Sequence, residues 1–477
     1  MPMSWTGEIA ASPGGAPSTG QQRGDDAGYA PPAPGVPLRI GLLGCGNVGA
    51  AFVALVDGGS ESIARRTGIG LEISRIAVRH LDRERPGAGD RAGLEGRLTT
   101  DPDAVVTASD VDLVVELMGG TDPARALVLA ALAAKKPVVS ANKELLATSG
   151  RELSAAAEAA GVDLLFEASV AGAIPLVRLL RDSLAGEQIG RLTGIVNGTT
   201  NYMLTRMSEE GLGYSEALAE AQALGYAEAD PTADVEGFDA AAKAAILAGV
   251  AFDADVVVTD VHREGISGLQ TSDIEFAHRL GYEVKLLAIV ERVRSPDSGG
   301  PGVAVRVHPA MVPKDHPLSS VRGPFNAVFV EGDAVGELMV YGRGAGGKPT
   351  ASAVLGDVID AAHHLREGSR GRSSLRHPVD LRPITELYSQ YYLTLDVADR
   401  PGVLAAVASV FGQHRVSIRS MEQIGLAGEA RLVFITHTAL EADLQATLRE
   451  LARLEAVERI GSVLRVIGDE SLPSRAK

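Results

Sequence analysis

The chain has 477 residues, room for roughly two to four domains, and is 45% hydrophobic but only 4% aromatic, so Ala, Val and Leu must pack its cores. A formal net charge of −16 argues against a nucleic-acid partner, which needs clustered cations, and favours a soluble, self-repelling protein. The single cysteine, Cys45, excludes an intrachain disulfide and a cysteine-based zinc cluster and fits a reducing cytoplasm; no run of about 18 uninterrupted apolar residues offers a membrane span.

Residues 1–36 are rich in Gly, Pro, Ser, Gln and Asp and lack the basic start and apolar core of a secretory signal. They read as a disordered tail, which holds the only tryptophan, Trp5. A short apolar strand, Leu38 to Leu43, then runs into Gly44-x-Gly46-x-x-Gly49, and a helix-compatible run from Ala50 follows. Strand, glycines and helix in that order are the context a dinucleotide fingerprint requires. Gly44 permits the tight turn, Gly46 lets the backbone approach a pyrophosphate, and Gly49 lets helix and strand pack closely. The helix N-terminus, with Asn47 and Val48, offers free N–H groups to the anion.

Further strands are expected at Leu71 to Val78, Val111 to Met118, Lys136 to Ser140 and Val162 to Phe166, with Ala-rich helical segments between them. Apolar strands alternating with helices predict a parallel, doubly wound sheet, whose ligands gather at the strands' carboxyl ends. After the second strand stands Arg79 rather than the acid that would hold a ribose 2′-OH, followed by a mixed-charge loop. NADP is favoured over NAD, with a solvated loop as the plainer alternative. Thr121, behind Gly119 and Gly120, follows the third strand; Ser140 and Lys143 follow the fourth. These positions fall beside the nicotinamide region.

From about Phe166 the pattern changes to an inserted α+β unit, with strand-like runs at Gly190 to Val196, Glu283 to Val290, Val303 to His308, Asn326 to Glu331 and Glu337 to Tyr341. The helix-prone run Thr350 to His363 is expected to rejoin the first domain. Residues 369–389 read as a linker, and from Tyr391 a compact βαββαβ-like pattern begins. The expected division is therefore 37–165 with 342–368, 166–341, and 390–470.

Asp239 and Lys243 are four apart on a predicted helix and share a face. A surface ion pair would be the ordinary explanation. Lys243, however, is the only basic residue between Gly237 and Phe252 in an otherwise apolar run. Desolvation lowers a lysine's pKa and readies it for proton transfer. Glu228 lies in a loop just upstream that can fold back onto this face. Two carboxylates and a lysine can grip an amino-acid substrate and serve its oxygen beside a nicotinamide. The loop Gly342 to Lys348 matches GxxxxGK, but Pro349 stands where a P-loop needs Ser or Thr, so an ATPase is rejected and a cofactor contact is kept.

Together these segments resemble homoserine dehydrogenase: the glycine fingerprint, Ser140-Ala-Asn-Lys143, Asn197-Gly-Thr-Thr-Asn201, Gly225-Tyr-Ala-Glu228, Asp239-Ala-Ala-Ala-Lys243, and Val307-His-Pro-Ala then Pro313-Lys-Asp-His-Pro317. The match runs in order over about residues 38–365. The terminal part resembles an ACT domain through Tyr391 to Leu404, with its Asp399-Arg-Pro-Gly402 turn. No kinase-like region precedes the dehydrogenase run, so the likeness is to the stand-alone form.

The resemblance implies a Rossmann domain, an inserted catalytic and dimerisation domain, and a ferredoxin-like ACT domain. It implies interconversion of L-homoserine and L-aspartate 4-semialdehyde with NAD(P)(H), in threonine, methionine and isoleucine biosynthesis. Lys243 would donate the proton, Glu228 and Asp239 hold substrate, Lys143 touch cofactor and substrate, and Gly225 and Gly346 line the nicotinamide site. A sodium ion would be held by oxygens of Glu167, Val170, Gly172 and Ile174. L-threonine would be the effector, and a homodimer or homotetramer the assembly. Another semialdehyde reductase, or a catalytically dead amino-acid sensor, are the competing readings.

Overall fold

The computed structural model describes residues 35–88, 91–294, 300–371, 377–426 and 429–468. The expected disordered tail lies outside the described residues except for its last two, 35 and 36.

The first sheet is wholly parallel, in the order β3-β2-β1-β4-β5-β6, from β1 (Leu38–Leu43), β2 (Leu71–Ala77), β3 (Leu98–Thr99), β4 (Leu113–Glu116), β5 (Val138–Ser140) and β6 (Leu164–Leu165). Its near-continuous apolar strands suit a sheet covered on both faces. Leu113, Val115 and Val139 turn to the face covered by helices Asn47–Thr67 and Gly347–Glu367, which contribute Phe52, Val53, Val354 and Val358. Val114 and Val138 turn to the other face, against Leu127, Val128, Leu145 and Leu146. The late helix Gly347–Glu367 thus packs back on the first sheet. This strand order reverses direction between β1 and β4, which places the ligand crevice at their carboxyl ends.

The inserted unit supplies strands Gly336–Arg343, Phe325–Gly332, Ile189–Ile195, Tyr282–Arg294 and Pro301–Pro313, in that spatial order. The sheet continues into the terminal unit through Val457–Val466, Tyr388–Ala398, Glu429–Thr436 and Ile418–Leu426. The junction is a short parallel pairing, Ala310 with Arg465 and Met311 with Val466. The apolar helix Phe238–Phe252 lies in the main core, with Ala240, Ala244, Ile246 and Leu247 buried.

Over the described part of the expected linker, His377 donates to the Asp253 carbonyl at 2.7 Å and Arg382 to that of Val303 at 2.9 Å, so the segment is laced to the inserted unit. One face of the terminal sheet carries its own core, including Tyr391, Val407 and Phe411. The other face, through Tyr392, Val433, Ile435 and Leu464, shares the main core with Ile274 and Phe276. Buried Arg465 donates to Glu441 at 2.9 Å within the terminal unit and to Glu264 of the inserted unit at 2.9 Å. Among the described residues no helix is long and apolar enough to cross a membrane.

Candidate active site

β1 ends in the glycine turn. Gly44 has φ +96°, and a Cβ there would meet the Leu117 carbonyl at 2.7 Å; a Cβ on Gly49 would lie 2.4 Å from the Gly44 carbonyl oxygen. Both glycines are demanded by the fold itself. Gly46 is different: a Cβ there meets nothing within 4 Å, so this position faces open space over the helix N-terminus. The first turn of helix Asn47–Thr67 carries no acidic residue. Its amides and dipole are free to receive an anion. A cleft of about 480 Å³ opens here, lined by Gly44, Gly46, Asn47, Arg79, Arg83 and Arg85 among others. The exposed Arg79 stands in its wall, just beyond the carboxyl end of β2.

The loop Gly342 to Lys348 closes on this turn. A Cβ on Gly347 would sit 3.0 Å from the Asn47 carbonyl oxygen, and Gly346, at φ +124°, begins the helix behind it. Two helix N-termini therefore meet beside the fingerprint.

The inserted unit meets the crevice beside β5. Asn142 caps helix Lys143–Ala160 by accepting from the Leu145 amide at 3.1 Å, which sets Lys143 at the sheet's carboxyl edge. The Lys143 ammonium pairs with Asp239 Oδ1, 96 residues away in sequence. Asp239 Oδ2 accepts from Lys243 Nζ at 2.7 Å, and the same ammonium donates to the Val196 carbonyl at 2.6 Å. Asn197 Nδ2 donates to Asp239 Oδ2 at 2.9 Å and to Asp234 Oδ1 at 2.6 Å. The loop carrying Gly225 and Glu228 is tied alongside by the Thr199 hydroxyl, which donates to the Tyr226 carbonyl at 2.7 Å.

Electrostatics separate the two lysines. The Lys243 side chain is 10% exposed and that of Lys143 46%. Burial lowers the pKa of Lys243 below the usual lysine value, with Asp239 pulling the other way. Burial also works against the charge of Lys143, but its pairing with Asp239 prevails and its pKa is raised. Burial would push Asp239 up; the two ammonium groups outweigh it and hold the carboxyl well below the carboxylate range. One acid thus joins a lysine whose pKa is raised to a lysine whose pKa is lowered.

Not every expected residue faces the cleft. Ser140 is buried, donates to Glu116 Oε2 at 2.7 Å and accepts from the Asn142 amide at 3.0 Å, so its hydroxyl serves the loop. Glu228 is exposed, and among the described residues its carboxylate is not joined to Asp239 or Lys243. Thr121 is half-buried at the head of the turn after Gly120. Sequence reasoning assigned no role to Asp234 or to the Asn197 side chain. Asp234 lies in the acidic run before Asp239, and Asn197 stands at a helix N-cap, but neither signal points to the other.

The four residues expected around a cation lie together. Glu167 is buried and accepts from the Val177 and Arg178 amides at 2.8 and 2.7 Å. Val170 and Ile174 are buried, and Gly172, at φ +50°, is pressed against the Gly344 carbonyl. Among the described residues no amide donates to the carbonyls of Val170 or Gly172.

Comparison with known proteins gives the family. Residues 175–359 match the homoserine dehydrogenase family model, residues 44–167 that family's NAD-binding domain, and residues 391–456 the ACT domain. The homoserine dehydrogenases of Mycobacterium tuberculosis and Corynebacterium glutamicum are each 48% identical, over 91% of this chain and 98% and 97% of theirs. A crystal structure of a homoserine dehydrogenase from Thiobacillus denitrificans superposes with a TM-score of 0.84 at 40% identity, covering 91% of this chain and 98% of that one.

Proposed function

This chain belongs to the homoserine dehydrogenase family, and we propose that it interconverts L-homoserine and L-aspartate 4-semialdehyde with Lys243 as the proton-transferring group. It is an oxidoreductase with an NAD-binding domain and an ACT domain. The observation that carries the proposal is the Lys143–Asp239–Lys243 chain, which ties the desolvated amine to the carboxyl edge of the nucleotide-binding sheet.

When bound, the nicotinamide supplies or removes the hydride. Lys243 gives a proton to the aldehyde oxygen in reduction and takes it from the hydroxyl in oxidation. The Val196 carbonyl and Asp239 fix the direction of its ammonium. Asp239 and Glu228 hold the substrate's amino group, and Lys143 sits between cofactor and substrate. Gly44, Gly46, Asn47, Val48 and Gly49 receive the pyrophosphate, and Gly225 and Gly346 border the nicotinamide. NADP is the favoured cofactor, because arginines 79, 83 and 85 line the cleft with Glu84 as the one acid among them.

The residues present suit a sodium ion. The Val170 and Gly172 carbonyls have no donor among the described residues, in a turn where Ala171 and Gly172 both take positive φ. Buried Asp357, which accepts from the Glu167 amide at 2.7 Å, has its carboxyl pushed by burial up to about 7. Arg178 already pairs with Asp357 at 3.3 Å, so the free backbone oxygens of this turn are the hard donors that a monovalent cation would take. Glu167, Val170, Gly172 and Ile174 would hold it and stiffen the loop that meets Gly344.

L-threonine is the proposed effector. A cavity of about 350 Å³ at the Asp399-Arg-Pro-Gly402 turn offers Asp399 and Arg400, one charge of each sign, to a zwitterion. Assembly as a homodimer or homotetramer, a place in threonine, methionine and isoleucine biosynthesis, and a cytoplasmic site complete the proposal. The deciding experiment is an assay of homoserine oxidation with NADP and with NAD, with and without threonine and sodium. Turnover that requires homoserine, prefers NADP and falls with threonine supports it. No homoserine-dependent turnover with either cofactor would refute it.

A further inference from the structure

We propose that Glu116 is a positioning residue for the reaction, a buried carboxylate that holds the glycine loop beside the nicotinamide site and Lys143 in one fixed relation. This deepens the function proposed above and rests on it.

Glu116 is the last residue of β4, in register with Leu43 of β1 on one side and Ser140 of β5 on the other. It therefore stands at the point where the strand order reverses, directly beneath the crevice. It is fully buried. A carboxylate in that place is expensive unless it is well bonded. It is bonded to two loops at once. Oε1 accepts from the Met118 amide at 2.7 Å, at the start of the loop in which Gly119 and Gly120 take positive φ. Oε2 accepts from the Ser140 hydroxyl at 2.7 Å. Asn142 closes the ring: its Nδ2 donates to the Gly120 carbonyl at 2.6 Å and, more weakly, to Glu116 Oε1 at 3.4 Å, while its amide donates to Ser140 Oγ at 3.0 Å.

The next residue is Lys143, whose ammonium meets Asp239. The path from Glu116 to the proton-transferring pair is thus one cap and one ion pair long. An apolar residue of similar size would fill the space, yet it would leave the Met118 amide and the Ser140 hydroxyl without acceptors. A carboxylate is the side chain that can accept from both loops together. Burial raises the Glu116 pKa, opposed by the hydrogen bonds from Ser140, Met118 and Asn142. The residue does not transfer the proton itself, since its oxygens are committed to the loops.

The test uses the full chain and four variants: Glu116→Gln, Glu116→Ala, Lys143→Ala and Glu116→Ala with Lys143→Ala. Misplacement of a reacting group by about 1 Å lowers rate by up to about a hundredfold. Glu116→Ala is expected to lower kcat at least about tenfold at saturating homoserine and NADP. Glu116→Gln, which keeps one acceptor oxygen, should recover part of that loss. In the Lys143→Ala background the further effect of Glu116→Ala should shrink to about threefold or less, because the two act along one path. Equal, additive losses in both backgrounds would overturn the inference. So would full kcat in both single Glu116 variants, or a loss that matches the fall in folded fraction or in cofactor affinity alone. If Glu116→Ala does not fold, Glu116→Gln is carried into the Lys143→Ala background instead. Full activity in Lys143→Ala alone would remove the proposed role of Lys143, and this inference with it; an impaired Lys143→Ala beside full kcat in every Glu116 variant that folds would overturn this inference only.

Discussion

Lys243 and Asp239 are bound within one helix, Nζ to Oδ2 at 2.7 Å, but the amine also donates out of the helix to the Val196 carbonyl at 2.6 Å. The second bond aims the lysine across to the strand Ile189–Ile195 and away from solvent. An exposed i,i+4 pair contributes a few tenths of a kcal/mol. A pair this deeply buried controls protonation instead.

The first prediction concerns pH. Burial lowers the Lys243 pKa below the ordinary value, and Asp239 is the main force opposing that shift. On the proposed mechanism the oxidation of homoserine needs neutral Lys243, so kcat/KM should rise with pH along a limb centred below the usual lysine value of about 10.4. Asp239→Asn removes the charge that favours the ammonium and should move the limb to lower pH, while reducing rate. Folding follows the same sign: with its folded pKa lowered, Lys243 adds stability as pH rises toward the unfolded value. A pH–rate profile whose limb stays in place in Asp239→Asn would contradict this.

Two glycines should behave differently. Gly49→Ala drives a Cβ to 2.4 Å from the Gly44 carbonyl oxygen and should lower stability by about 1–3 kcal/mol or more. Gly46→Ala meets nothing within 4 Å and should fold normally, yet bind NADP poorly because the methyl occupies the pyrophosphate's approach. Thermal unfolding and cofactor titration separate the two. Normal cofactor affinity in Gly46→Ala would place the pyrophosphate elsewhere.

Cofactor preference should follow Arg79. A lost charge-assisted contact is worth about 1.5–3 kcal/mol, or roughly ten- to a hundredfold. Arg79→Ala should raise KM for NADP by that factor and leave NAD nearly unchanged. An equal change for both would mean that Arg79 touches a part the two cofactors share.

The ACT domain should not be removable. Cutting the chain at about residue 385 would bare Ile274 and Phe276, which pack against its sheet, and strip Arg465 from Glu264. Substituting Arg465→Met leaves the buried Glu441 carboxylate unpaired and should destabilise the protein by about 3–5 kcal/mol. Thermal unfolding of the truncated chain and of Arg465→Met checks this. Unchanged midpoints would show that the two units are independent after all.

Much of the first domain is legible in sequence because local patterns carry it. The glycine spacing and the alternation of apolar strand with helix survive without knowledge of distant contacts. The lone lysine in an apolar helix also marks itself, since its cost of burial demands an explanation. What sequence does not show is convergence. Asp234 meets Asn197, and Lys143 meets Asp239, only through the tertiary fold. Glu116 ends a strand whose other residues are apolar, and nothing local says that its carboxylate serves two loops. The fusion of the terminal sheet to the catalytic one is equally hidden, because edge pairing such as Ala310 with Arg465 leaves no periodic trace.

The most direct test of the central claim is hydride transfer in Lys243→Met, followed by nicotinamide absorbance in a single turnover with saturating homoserine and NADP. Loss of a positioned proton-transfer group is expected to slow the step by about a hundred- to ten-thousandfold, with NADP still bound as in the unaltered chain. Hydride transfer at the normal rate, with no proton partner at position 243, would contradict the account.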